Sequence, residues 1–453
     1  MAESSSIFPR KGTIISNKTM QFPISSLLFL GLILTNSQVD AFIDSPLHAN
    51  RLRPSQQLTA FQVTPLLRFR DHVTTENANE TPVTQPELQT ISTSASQTAR
   101  PAHSGPSMPL IRAIWFNQGA VLLFATAVVT LATFVAGGAE GLSSLHWNSG
   151  ANYHSLLDWN VSPLRLFEGI LATIPMVMIG CTVENSDKRD ASQVNFSTVN
   201  MVISLFGRRE STRDPEATSS ATAMALAALI ALSTGISEEM VFRGFIPTGI
   251  GALSNSFALA VLGQAVLFAL AHISPKSTNG ENKIVGGLQF VNGLWYGFVY
   301  AASDGDIVPC IIAHTLYDMH VLCETWSVIN NQLDYTQDAF QEKVDDSEEE
   351  ALARIQQQAG PSLNRETLNF ARRFFYAFDY EHKGSLCLSD VHRAVNYAFL
   401  KDDLVPEQEE VDALFDRVIE TRAANLDYPG NRLTVSEFLR LLFALKSKGA
   451  MPA

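Results

Sequence analysis

Cysteine is scarce: there are four in 453 residues, at Cys181, Cys310, Cys323 and Cys387. None forms a C-x-x-C, so neither a zinc ribbon nor a disulfide scaffold is indicated, and buried free thiols are the simpler reading. Basic residues are also in deficit. Lysine and arginine number 32 against 45 aspartates and glutamates, a net charge of -13 with an isoelectric point near 5.2. Such a balance argues against nucleic acid as a partner. The H-E-x-x-H helix of many zinc proteases is absent. So is any internal repeat of the kind that marks transporters, which weakens a transporter reading of intramembrane carboxylates.

What the chain does have is a sharp division between apolar and polar parts. Its length leaves room for two or three domains. Six apolar runs lie near Ala113–Gly137, Pro163–Thr182, Ala221–Phe245, Ser254–Ile273, Ile284–Ala302 and Ile307–Ile329. Several approach the ~20 residues needed to span a bilayer. The apolar piece Val199–Phe206 is too short and is expected to lie at the interface. Lys188, Arg189, Arg208, Arg209 and Arg213 fall in one connecting loop, and Lys276 and Lys283 in another. The alternate loops, Glu140–Asp158, Thr248–Asn255 and Ser303–Asp306, contain no lysine or arginine. Arg165, at the start of the second run, is the exception. The positive-inside rule therefore puts Arg112, both basic loops and the C-terminal tail on one side.

Ionisable residues interrupt these runs in a pattern. Ser233–Pro247 reads STGISEEMVFRGFIP and places Glu238, Glu239 and Arg243 in apolar surroundings. Charged groups there are costly, and by default they are functional candidates. On a helix Glu239 and Arg243 are four apart and can pair. Glu238 points about 100° away and is left over. Phe268 and His272 form an F-x-x-x-H near the end of the next run, and His314 and Asp318 an H-x-x-x-D inside the last. Each pair is one helical turn apart. A lone histidine in an apolar helix is usually a satisfied core residue, but three such polar pairs on three apolar helices are hard to explain as packing.

In this order and spacing the motifs E-E-x-x-x-R, F-x-x-x-H and H-x-x-x-D resemble those of the CAAX prenyl protease and bacteriocin-processing (CPBP) family of intramembrane proteases. The resemblance covers about Ala221–Val328. It implies a membrane peptidase whose site is built from Glu238, His272, His314 and Asp318, supported by Glu239 and Arg243. A peptide or protein substrate at the bilayer is implied, prenylated if the processing is of the CAAX type. Two mechanisms stay open. Glu238, His272 and His314 suffice to hold a zinc ion with water in the fourth position. Glu238 acting directly on water fits the same residues. The rival from another class is a catalytically idle membrane adaptor whose tail recruits partners.

The ends of the chain carry their own signals. Arg10, Lys11 and Lys18 precede the apolar SSLLFLGLIL and a small-residue site near Ala41, the pattern of a signal peptide over residues 1–42. Residues 43–109 are rich in Ser, Thr, Gln and Pro, with Arg51, Arg53, Arg68 and Arg70 early on, a transit-like or disordered composition. Together they resemble the bipartite plastid presequence of algae with secondary plastids; secretion into the endomembrane system is the alternative. After a transmembrane protease domain at 110–330, residues 331–362 read as an acidic linker or exposed helix. Residues 363–453 resemble a degenerate pair of EF-hands. In the first loop Asp379, Glu381, Ser385 and Asp390 offer calcium ligands, and Gly384 supplies the turn. Lys383 replaces one ligand with a cation, and Asp390 stands where a longer glutamate is usual, so any calcium binding is expected to be weak. In the second copy Glu437 takes the twelfth position, but the D-x-D start is missing. The expected architecture is all-α: a polytopic transmembrane bundle of about six spans with a small soluble EF-hand-like domain.

Overall fold

The computed structural model describes residues 105–143, 159–210, 217–247, 250, 256–275, 277–341, 346–359, 365–399, 406–423 and 430–449. The expected signal peptide, nearly all of the transit-like segment and most of the loops 140–158 and 248–255 lie outside the described residues. Regular structure among the described residues is helical, with isolated bridges only at Arg209–Thr218 and Leu386–Leu433.

Each apolar run forms a helix. These are α1 (Met108–Ser143), α2 (Pro163–Glu184), α4 (Ser220–Glu239, continued by a π-helical turn Met240–Phe245), α5 (Phe257–Ala271), α6 (Asn279–Ala302) and α7 (Val308–Gln341). Three segments, Met108–Ala127, Pro163–Glu184 and Ser220–Phe245, are long and apolar enough to cross a membrane. Helix α5 is apolar but shorter. Helices α6 and α7 are diluted by polar residues such as Asn282, Gln289, Asn292, His314 and Asp318.

Local chemistry sets the starts of several helices. Ser162 caps α2 ahead of Pro163, which needs no partner for a backbone N–H at that position. Ser219, Ser256 and Thr278 accept bonds from Thr222 N, Leu259 N and Glu281 N at 3.2, 3.4 and 3.1 Å. Small residues set the crossings, as expected where lipid supplies no hydrophobic drive between helices. A Cβ on Gly235 would lie 2.6 Å from Thr315 Oγ1 and 3.2 Å from the Ile311 carbonyl, so α4 and α7 meet through a glycine. A Cβ on Gly293 would lie 2.8 Å from the Ala265 Cα and brings α6 equally close to α5.

Helix α3 (Arg189–Phe206) contains the piece expected at the interface. Its Val202, Leu205 and Phe206 bury against Ile111 and Trp326 of the bundle. At its other end Phe196 packs edge-on against Phe378 and Tyr397 of the tail, at 6.4 and 4.7 Å. One amphipathic helix thus seats the tail on the bundle.

The tail comprises α8 (Asp346–Ala359), α9 (Arg365–Phe378), α10 (Leu388–Ala398), α11 (Gln408–Ala423) and α12 (Val435–Gly449). Phe374, Phe375, Phe378, Phe415, Phe438 and Leu442 share one buried core. The structure differs from the sequence reading at the boundary. Helix α7 runs unbroken past residue 330 to Gln341, and α8 is no free linker, because Leu352 and Ile355 are 4% exposed within the tail's core. Glu348 in the acidic run accepts a bond from Ser436 N at 2.6 Å.

Candidate active site

The three motifs converge. Helix α4 and its π-helical turn carry Glu238, Glu239 and Arg243; α5 ends at His272; α7 carries His314 and Asp318. The π-helical turn begins at Met240, directly after the two glutamates. Such bulges are rare and frequent at functional sites.

Glu239 and Arg243 are completely buried and paired at 2.9 Å. The same glutamate oxygen, Oε1, lies 2.7 Å from His314 Nδ1. Arg243 is further enclosed by the rings of Phe268 and Tyr296, with its guanidinium carbon 4.5 and 5.2 Å from their centroids. Ring quadrupoles favour a cation in that position. Its Nη2 donates to the Asn292 carbonyl at 3.5 Å.

Glu238 is arranged differently. Its side chain is 14% exposed, and its Oε2 lies 3.8 Å from His272 Nε2 and 3.9 Å from His314 Nε2. Its other oxygen accepts a bond from Gln118 Nε2 of α1 at 3.2 Å. Asp318 Oδ2 is 3.5 Å from His314 Nε2. The histidine tautomers follow from their partners. A carboxylate and a carbonyl oxygen can only accept, so His314 Nδ1–H donates to Glu239 and His272 Nδ1–H donates to the Phe268 carbonyl at 2.8 Å. Both Nε2 atoms are thereby turned toward Glu238.

All six site residues expected from the sequence are therefore gathered at one place. The sequence reading missed Gln118, Ser237, Asn292 and Tyr296. Ser237 Oγ donates to Gln118 Oε1 at 2.7 Å and fixes the amide so that its nitrogen faces Glu238. Tyr296 stacks on the His314 ring at 5.7 Å. Gln118 and Asn292 are amides within largely apolar helices, each with another amide close by (Asn117 and Gln289), and that polarity is the signal that marks them in the sequence.

Glu238, His272 and His314 are the residues that would hold a zinc ion. Tetrahedral zinc holds its donors at about 2.0–2.2 Å, and so about 3.3–3.6 Å from one another. The 3.8 and 3.9 Å separations here are wider. Among the described residues no group of three or more His, Cys, Asp or Glu is arranged to hold a metal ion.

The family described as type II CAAX prenyl endopeptidase Rce1-like matches residues 220–320. No curated protein and no solved structure matches the chain. The matched segment runs from the first residue of α4 to just past Asp318 and contains all three motifs. Together with the apolar helices, the match supports an integral membrane protein with a CAAX-type protease kind of function.

Proposed function

We propose that the chain is an intramembrane endopeptidase in which Glu238 activates the water that attacks the peptide carbonyl. The observation that carries this reading is the division of labour between neighbouring glutamates. Glu239 is buried and bonded to Arg243 and His314, whereas Glu238 reaches a partly open space between two histidine Nε2 atoms. Separations of 3.8 and 3.9 Å exceed a direct hydrogen bond. They suit a water that bridges Glu238 Oε2 to a histidine Nε2.

Glu238 takes the proton of a water bound there and returns it to the leaving nitrogen. His272 Nε2 accepts from the same water and orients its lone pair toward the carbonyl carbon. His314, held by Glu239 on one ring nitrogen and facing Asp318 with the other, stabilises the oxyanion through Nε2 when that atom is protonated. Arg243 pairs with Glu239 Oε1, the same oxygen that holds the His314 ring. The substrate class is a membrane-proximal peptide segment, prenylated if the processing is of the CAAX type.

The test is cleavage of a library of membrane-anchored peptides by the purified protein in lipid, beside Glu238→Gln. Cleavage by the wild type and none by the variant supports the reading. A wild-type protein inert on every peptide, prenylated or not, would favour the adaptor.

A further inference from the structure

The C-terminal domain has the shape that calcium-binding loop pairs use. Helices α9 and α10 flank one loop, and α11 and α12 flank the other. The loops are joined at Leu386 and Leu433 by two backbone bonds of 2.9 and 2.8 Å. Gly384 makes the turn of the first loop at φ +66°. The expected ligands are nevertheless engaged elsewhere.

In the first loop the occupied position belongs to an arginine. Arg432 Nη2 donates to the Ser385 carbonyl at 2.8 Å, its Nε to Ser385 Oγ at 3.0 Å and its Nη1 to Glu381 Oε2 at 2.8 Å. Its Nη2 also lies 3.9 Å from Asp390 Oδ2. Three of the four calcium ligands expected from the sequence thus face one guanidinium. Lys383 pairs with Glu381 as well. The fourth ligand, Asp379, accepts from the backbone N–H groups of Lys383 and Gly384 at 3.1 and 2.6 Å, and from the Tyr335 hydroxyl at 2.5 Å. Asp390 accepts from Cys387 N at 3.3 Å as a helix cap.

The second loop repeats the device with another arginine. Arg422 donates through Nε to Glu437 Oε1 at 2.7 Å and through Nη2 to the other oxygen of the same carboxylate. Its remaining donors reach the carbonyls of Gly430 and Arg432 at 3.1 and 2.6 Å. Glu437 is the residue that would grip a calcium ion in a bidentate manner. Here it grips a guanidinium in the same bidentate manner. Calcium needs six to eight oxygens within 2.3–2.6 Å, and among the described residues of these loops Glu381, Asp379, Asp390 and Glu437 are engaged by arginine or by N–H and O–H donors instead.

We propose that Arg432 and Arg422 are built-in cations, which make the loop pair a constitutive, calcium-independent brace on the helix that carries His314 and Asp318. The connection to that helix is direct. On α7, Gln332 Nε2 donates to the carbonyls of Tyr376 and Asp379 at 2.7 and 3.1 Å, and Gln332 Oε1 accepts from His382 Nε2 at 3.0 Å. Tyr335 stacks on His382 with centroids 4.0 Å apart. The first loop is therefore clamped to the same continuous helix as the candidate site. The brace is independent of the chemistry at Glu238.

The test uses the full chain in detergent, with calcium as the probe. Calorimetry on the wild type is expected to show no binding at micromolar calcium. Its melting temperature is expected to change by no more than about 1 °C between a chelator and about 1 mM calcium. Hydrogen exchange over residues 330–340 is expected to be the same in both. Arg432→Ser removes the built-in charge and leaves Asp379, Glu381 and Asp390 without it. That variant should melt lower in chelator, with calcium recovering part of the loss, while Arg432→Lys keeps more of the wild-type stability. Micromolar calcium binding by the wild type, or calcium-dependent exchange in α7, would overturn the proposal. So would an Arg432→Ser protein as stable as the wild type and blind to calcium.

Discussion

A single oxygen of Glu239 joins two of the three motifs: Oε1 lies 2.9 Å from Arg243 Nη1 and 2.7 Å from His314 Nδ1. Glu239 is fully buried, so its charge is balanced only by these neighbours. This fixes how the adjacent glutamates should respond to the same substitution. Glu238→Gln keeps the shape and removes the base; cleavage should fall by about 10²–10⁴-fold with little loss of stability. Glu239→Gln leaves Arg243 as an uncompensated buried charge, and should destabilise the protein by about 3–5 kcal/mol. Parallel cleavage assays and thermal melts check both, and wild-type turnover by Glu238→Gln would remove Glu238 from the role of base.

The mechanism without metal makes its own demand. Active protein, purified and analysed for elements, should contain no stoichiometric zinc, and its activity should survive a chelator. His272→Ala and His314→Ala should each lower activity without changing metal content. If instead zinc is present at one ion per chain and is lost with either histidine, the metal mechanism is the correct one.

Topology gives a third prediction. With six spans, a tag in the loop between Glu184 and Ser220 and a tag after Ala453 must lie on the same side of a sealed vesicle. A tag between Ser303 and Asp306 must lie on the other. Protease protection should expose the first two together. Opposite accessibility of those two would contradict six spans.

How far the sequence was legible follows from the range of each interaction. Glu239 and Arg243 are one turn apart, so their pairing can be read from spacing alone. Phe268 and His272, and His314 and Asp318, are readable for the same reason. The helical order of the bundle and the tail's buried phenylalanines follow from apolar periodicity. The π-helical turn at Met240 has no such signature, because Met240, Val241 and Phe242 would sit equally well in an α-helix. The continuation of α7 to Gln341 was hidden because polarity rises after Ile329 while helix-forming residues continue. Arg432 in the first loop was hidden for a different reason. It is 47 residues from Ser385 and 51 from Glu381, and only the folded loop pair brings them together.

Gln118 was hidden in the same way, since it stands 120 residues from Glu238. Its amide is held at both ends: Oε1 accepts from Ser237 Oγ at 2.7 Å, and Nε2 donates to Glu238 Oε1 at 3.2 Å. The second bond leaves Glu238 Oε2 as the oxygen that faces His272 and His314. On the proposed mechanism Gln118 is a positioning residue that acts through Glu238. Gln118→Leu has nearly the same volume and removes both bonds. The carboxylate would then be free to rotate, and misplacement of a catalytic group by about 1 Å can cost on the order of 10²-fold. The expected result is a kcat lowered by about 10–100-fold with KM little changed, because both ends of this amide are engaged within the site by Ser237 and Glu238. A purely structural role would lower the melting temperature of Gln118→Leu in step with its activity. Steady-state kinetics on the variant, with melts alongside, separate these outcomes.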